Sequence, residues 1–347
     1  MNAAEQQNIL HFSFYPPLGE EDWRYTFATA QIKTLSEKLF DSAIFTEMAN
    51  SGSFAETVEL LGGTDYATAA SVTNEEIEKL LCDRRRESKK LVYSLLLDEK
   101  IVELLQARSD FANMRLAIRR LVLEKPLGSP SDYCDMGNIP VDQFEIVFEQ
   151  EDYTALPAYL QEAVEAGVLG YYKNKNVRDI DIAIDKVEAE FQLENASQAK
   201  SIFLVELMKM YIDLNNIRTM MRLKYTEMTD GNIFLTGGYI DPAKLDQMLD
   251  IGYESLAQAF AATPYYHILE AGAAYMQSNN SFLKLEAAAE QHLLGYLKSA
   301  DQITAGHQPI VAYLLRKEHE IRMIRTVLAC KKAQLEPKVI NDRIVVG

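Results

Sequence analysis

At 347 residues the chain exceeds the length at which one hydrophobic core usually keeps growing, which predicts two or three subdomains or a repeated unit. Its 48% hydrophobic and 25% charged residues exclude a disordered chain. The 51 acidic against 35 basic residues leave a formal charge of -16, a field that repels nucleic-acid phosphates and anionic lipid headgroups alike.

The first stretch, "MNAAEQQNILHFSFYPPLGEEDW", has neither the basic start nor the unbroken apolar run of a signal peptide, and Pro16-Pro17 interrupts it. Residues 1–24 therefore read as an N-terminal extension of a protein that is not exported. Cys82, Cys134 and Cys330 are too far apart for a CxxC metal clip and too few for a disulfide framework, which fits a reducing, cytoplasmic setting. "NEEIEKLLCDRRRESKKLVYSLLLDEKIVELLQ" has apolar residues recurring at three and four and predicts long helix. Its basic run, "CDRRRESKKL", reads as a solvated face balanced by the preceding acids in "NEEIE" rather than as a nucleic-acid patch. "LVYSLLL" is too short to span a bilayer.

A breaker cluster at 124–140 ends this region, and "VRDIDIAIDKVEAEFQLENA" resumes the helical period. "SIFLVELMKMYI" follows, punctured by Glu206 and Lys209, so it too predicts a buried helix and not a membrane span. A second breaker cluster covers 226–242. "LDQMLDIGYESLAQAFAA" is helical again, and a smaller break at 301–309 reads as a turn inside a unit. The class is all-α.

Self-similarity organises these helices. "DFANMRLAIRR" places Asn113, Arg115 and Arg119; "DLNNIRTMMRL" places Asn216, Arg218 and Arg222; "EHEIRMIRTVL" places Glu320, Arg322 and Arg325. The offsets are 216 - 113 = 103 and 320 - 216 = 104. On the preceding helix Glu78, Asp181 and Glu286 keep offsets of 181 - 78 = 103 and 286 - 181 = 105. Thr64-Asp65-Tyr66 and Thr263-Pro264-Tyr265 lie 199 apart, close to two periods, with no middle copy. Three degenerate helical repeats follow, at 1–125, 126–228 and 229–347.

Chemistry is scarce. Neither a Walker A loop nor GxGxxG is present, no histidine stands three residues after a glutamate, and HExxH is missing. Asp179, Asp181 and Asp185 lack DDxxD pairing and read as helix-start and surface charges. No catalytic, cofactor-binding or metal-ligating residue is expected. The recurring polar residues on the long helices, Arg115, Arg119, Asp213, Asn216, Arg218, Arg222, Arg322 and Arg325, remain the candidates, and two readings stay open. They form an interhelix network in which acids such as Asp213 and Asp181 meet the guanidiniums, or they present a face to a partner protein.

Three segments then carry a resemblance: "LVELMKMYIDLNNIRTMMRLK", "VELLGGTDYATAA" and "EHEIRMIRTVLACKKAQLEPKVINDRI", with "VRDIDIAIDKVEAEF" as a fourth. The chain resembles the C subunits of the prokaryotic V-type or A-type rotary ATPases, a family that includes the d subunit of the eukaryotic vacuolar ATPase. That resemblance implies three similar helical domains forming a funnel around a central opening. It implies a non-catalytic rotor component, without cofactor, that couples the central stalk to the membrane rotor ring for ATP-linked proton or sodium transport. Its location would be cytoplasmic, peripheral to the membrane through the ring, with no span of its own and no nucleic acid. From the residues alone, an all-α solenoid-like scaffold binding a protein or peptide is the alternative.

Overall fold

The computed structural model describes residues 15–69, 71–123, 132–228 and 233–346. Residues 1–14 of the expected N-terminal extension, and 124–131 and 229–232 of the two breaker clusters, lie outside the described residues. Among the described residues there are fifteen α-helices and no strand, so the protein is all-α. No helix among them is long and apolar enough to cross a membrane.

The chain divides into two compact units: one is Asp98–Leu249, and the other joins the chain's two ends, up to Leu97 and from Asp250 onward. The first end contributes α1 (Thr26–Ser36), α2 (Ser42–Asn50), α3 (Phe54–Glu59) and the long α4 (Asn74–Leu95). Side-chain caps set the starts of three of them: Asp41 accepts from the Ile44 amide, Ser53 from the Glu56 amide, and Thr73 and Glu76 form a reciprocal capping box.

The middle unit holds α5 (Glu99–Val122), α6 (Val141–Gln150), α7 (Ala158–Asn174), α8 (Val177–Gln198), α9 (Ile202–Thr226) and α10 (Pro242–Leu249). Phe111 and Ile118 of α5, Leu160 of α7 and Ile180 and Ile184 of α8 are buried together in its core. α9 is apolar nearly all round: Phe203, Leu207, Met210, Leu214, Ile217 and Met221 are each at most 1% exposed. A helix of that composition is stable only when surrounded.

The chain's second end adds α11 (Tyr253–Ala259), α12 (Tyr266–Asn279), α13 (Leu283–Ser299), α14 (His307–Lys332) and α15 (Pro337–Asn341). α14 is the pillar of this unit. Its Ile321, Ile324, Val327 and Leu328 share one core with Phe45 and Met48 of α2, Val58 of α3, Leu81 of α4 and Ile340 of α15. The smaller break at 301–309 is the tight connection from α13 to α14, passing through a 3-10 turn at Ala300–Gln302.

A strap at residues 15–22 ties the N-terminal side to this C-terminal pillar. The Tyr15 ring lies 5.2 Å from His292 and 6.1 Å from Tyr296. Gln308 Nε2 donates to the carbonyls of Leu18 at 3.2 Å and Glu20 at 3.0 Å, and the Asp22 amide donates to Ala305 O at 2.8 Å. Beneath the strap His292 is buried, and its Nε2 has no hydrogen-bond partner among the described residues. Burial pushes this imidazole down to about 4.

Because the folded-state value lies below the ordinary 6.5, His292 is largely uncharged in both the folded and the unfolded chain at neutral pH, and almost no protonation penalty falls on folding there. Stability falls as pH drops below that value toward 4, where the unfolded chain takes up a proton that the folded chain refuses. We expect this group to remove about 3 kcal/mol across that interval, and His292→Phe to abolish that share. Denaturant unfolding at pH 7 and pH 4.5 for both proteins measures it; equal pH dependence would refute it.

Candidate functional site: polar clasps and arginine pairs on the long helices

The repeated polar residues fall on α5, α9 and α14, and they do two separate jobs. The first is to clasp backbone. On α9, Asn216 Nδ2 donates to Leu235 O and Asn216 Oδ1 accepts from the Leu235 amide, both at 2.8 Å. One turn earlier, Asp213 accepts from the amides of Tyr239 at 3.2 Å and Ile240 at 3.0 Å. Both side chains are fully buried. Together they hold the segment that leads into α10.

α5 repeats the arrangement. Asn113 exchanges both bonds with the Cys134 backbone, at 2.9 and 2.7 Å, and Asp110 accepts from the amides of Asn138 and Ile139 at 3.0 and 3.2 Å. The helix positions are offset by 213 - 110 = 103 and 216 - 113 = 103, and the clasped positions by 235 - 134 = 101 and 240 - 139 = 101. Each loop also needs a residue without a side chain at the same place. A Cβ on Gly137 would sit 2.2 Å from Asp110 Oδ1, and one on Gly238 would sit 2.1 Å from Asp213 Oδ1. The preceding residue is left-handed in both loops, Met136 at φ 63° and Gly237 at φ 93°.

α14 carries a charged version. Lys317 stands where Asp213 does, since 317 - 213 = 104, and Glu320 stands where Asn216 does. Glu320 Oε2 accepts from the Phe40 amide at 2.6 Å, while Oε1 takes the Tyr66 hydroxyl at 2.6 Å and the Lys317 ammonium at 2.7 Å. Phe40 is two residues before α2, as Ile139 is two before α6 and Ile240 two before α10. The clasps are therefore cyclic in sequence: each long helix holds the segment opening the next short helices, and the last holds the first. Lys317 and Glu320 are 4% and 3% exposed, so this ion pair is dry. Burial, and then the Glu320 charge, push the Tyr66 hydroxyl far above its ordinary value.

The second job is pairing between helices. Arg115 Nη2 bonds Asp185 and, at 2.6 Å, Glu188, both on α8, and Arg119 pairs with Asp181 one turn earlier on that helix. Arg322 pairs with Glu290 on α13, and Arg325 Nε lies 2.9 Å from Glu78 on α4. Burial pushes the Asp185 carboxyl up despite the neighbouring Arg115 guanidinium. Arg218 is half-buried and Arg222 exposed, and neither is free of partners. The acids facing the Arg115, Arg119, Arg322 and Arg325 guanidiniums stand on neighbouring helices. Asp110, the counterpart of Asp213, is taken instead by the Asn138 and Ile139 amides and the Tyr159 hydroxyl.

Sequence reasoning missed several participants. Tyr159 Oη donates to Asp110 at 3.1 Å, the same service that Tyr66 performs for Glu320, so a middle tyrosine exists outside the Thr-x-Tyr pattern. In the two outer copies Thr64 and Thr263 accept from the Tyr66 and Tyr265 amides at 3.1 and 3.3 Å, an identical local turn. The loop signature is readable as "MGNIP" against "GGYID", in the same 101-residue offset. The basic run is balanced differently from expectation: Arg84 and Arg86 pair with Glu87 and Asp83, and Arg85 with Glu318 of α14. Among the described residues no three His, Cys, Asp or Glu side chains are grouped to hold a metal ion.

Such an arrangement defines a class: an all-helical chain of long helices locked by buried polar clasps and interhelix ion pairs. The chain belongs to the ATP synthase (C/AC39) subunit family, whose pattern it matches over residues 28–343. The A-type ATP synthase C subunit of Methanocaldococcus jannaschii is 24% identical, the match covering 92% of this chain and 86% of that protein. The proteins of the same name from Thermococcus onnurineus and Thermococcus kodakarensis are 25% and 23% identical over 93% and 92% of this chain, and 91% of each relative.

Asn216→Ala removes one side chain and orphans both the amide and the carbonyl of Leu235 in a buried place. We expect a loss of about 2 to 6 kcal/mol, from about 1 to 3 kcal/mol for each of the two orphaned groups. Chemical denaturation measures it through the midpoint at unchanged slope. A loss below about 0.5 kcal/mol, the range of ordinary surface substitutions, would show that the clasp is not structural.

Proposed function

We propose that this chain is the C subunit of a V-type or A-type rotary ATPase, a non-catalytic rotor component that couples the central stalk to the membrane rotor ring. The observation that carries this reading is the extent of the match, which runs over residues 28–343 and over most of the length of relatives bearing that name. Two features support it. Long helices cross-linked by dry polar clasps resist bending, as a part that transmits torque must. The cyclic order of the clasps suits three repeats, at 1–125, 126–228 and 229–347, closed around an opening.

An open solenoid that binds a peptide would leave its terminal repeats apart. Here the C-terminal α14 holds Phe40 and the strap at 15–22, which disfavours that alternative. The partners on this reading are the stalk proteins and the ring, and the location is cytoplasmic, at the membrane only through the ring. ATP is turned over elsewhere in the complex, which moves protons or sodium ions.

Depleting this protein from the purified complex in sealed vesicles tests the proposal. ATP hydrolysis by the head should persist while ATP-driven ion uptake is lost, and adding the purified chain back should restore uptake. Uptake that survives depletion, or failure of the added chain to bind stalk and ring, would overturn it.

A further inference from the structure

A hollow of about 300 Å³ opens in the unit that joins the chain's two ends, where the start of α4 lies beside the end of α14. The two helices run antiparallel and are cross-linked by Arg85 to Glu318 and by Arg325 to Glu78. Ile77 of α4 and Leu328 of α14 belong to the core and make the floor, together with Phe54 of α3, which packs half-buried against that core. The room comes from α14. Arg325, Ala329 and Ala333 follow one another at four-residue spacing on one face, and the last two fill nothing beyond a methyl group. A helix with its side chains is about 10 to 12 Å across, so the hollow takes one or two side chains and not a whole helix.

The lining carries one net positive charge, Arg325 and Lys332 against Glu78. α14 bears six Lys and Arg side chains, and five of them have partners: Arg316 with Asp301, Lys317 with Glu320, Arg322 with Glu290, Arg325 with Glu78, and Lys331 on the Ser51 carbonyl. The sixth, Lys332, is exposed and has no partner among the described residues. Arg325 is only partly spent. Its Nε reaches the two Glu78 oxygens at 3.1 and 2.9 Å, and Nη1 and Nη2 bond nothing among the described residues. In a chain with 51 acids and 35 bases, an unanswered ammonium beside an apolar floor is where an approaching acid meets attraction in place of the general repulsion.

We infer that this hollow docks a partner subunit that presents an Asp or Glu within one helical turn of a large apolar side chain. The apolar group fills the space over Ala329 and Ala333 against Phe54, and the carboxylate pairs with Lys332, with the unspent Nη atoms of Arg325 as further donors to the same segment. An apolar floor under a polar rim is the anatomy of a protein contact, whereas a small anion would leave the floor bare. The inference rests on the reading of the chain as a rotor component, and it takes the partner from the same complex.

The test begins with the purified complex and a carbodiimide, which joins an ammonium to a carboxylate in contact with it, followed by digestion and mass spectrometry. The expected product links Lys332 to an Asp or Glu of another subunit that has a large apolar residue within four positions. Acetylation of Lys332 should also be at least about 10-fold slower in the complex than in the isolated chain, because a paired ammonium is a poor nucleophile. Lys332→Glu, which reverses the charge, and Ala329→Leu, which fills the hollow from within, should each bind the partner about 10- to 100-fold more weakly with an unchanged melt. Changing the cross-linked acid to lysine should recover the Lys332→Glu loss. The labelling needs no variant, so it decides the matter whatever the substitutions do to the fold. Lys332 acetylated equally fast in the free and the assembled chain, or joined only to an acid of this chain or of a second copy, overturns the docking site while leaving the rotor reading intact. A chain that does not assemble with stalk and ring overturns both.

Discussion

The fold depends on one recurrent interaction: a buried polar side chain on a long helix that takes the hydrogen bonds of a neighbouring loop. Asn216 holds Leu235, Asn113 holds Cys134, and Asp213 and Asp110 each accept two loop amides. Loops at the ends of helices expose backbone groups that cannot stay bare in a dry interior, and a helical protein has no sheet to receive them. A side chain planted on a rigid helix solves this on each of α5, α9 and α14. It also fixes the register of the loop against the helix, because an amide that both donates and accepts fits only one placement. Everything downstream of each loop starts from that anchor, including the first turns of α6 and α10.

The charged variant on α14 shows how far the sequence can drift while the service is kept. Lys317 in the aspartate position cannot accept an amide, and Glu320 has moved into the acceptor's role for Phe40. A lone buried carboxylate would be expensive, and Glu320 is offset by the Lys317 ammonium and the Tyr66 hydroxyl. Tyr66 is in turn held neutral by the same surroundings. The result is a network whose members depend on one another, where the other two copies use side chains satisfied by backbone. Replacing a single member of such a network is costly, because its partners are left charged and dry.

Much of this was legible from the residues. The helical class followed from apolar periodicity, and the period near 103 was carried by Asn113, Asn216 and Glu320, the very positions that clasp. What the letters could not give was direction. Asp213 and Arg218 lie five residues apart on one helix, and periodicity alone does not say that the acid turns to a loop about 26 residues later while arginines seek acids on another helix. Asp181 and Asp185 looked like surface charges because their partners, Arg119 and Arg115, are 62 and 70 residues away. Tyr159 escaped because it stands on α7 and reaches the carboxylate without the Thr-x-Tyr turn. Long-range pairing of polar groups is set by packing, and a single sequence records only the groups.

The two sets of polar residues divide the labour of a stiff, docking protein. Groups that satisfy backbone sit in the dry interior: Asp110, Asn113, Asp213 and Asn216 are each at most 1% exposed. Groups that pair across helix faces can be half-exposed and can exchange one carboxylate for another at little cost, because the charge is never stripped wholly of water. Arg115, Arg119, Arg322 and Arg325 are of this second kind, and Arg218, half-buried on α9, lines a cleft in the middle unit. On the proposed reading, a coupling protein needs both: clasps that keep each long helix from yielding under load, and guanidiniums on the same helices that a partner can engage without disturbing the clasps. α9 places the two kinds within two turns of each other, with Arg218 directly beside the anchorage at Asp213 and Asn216.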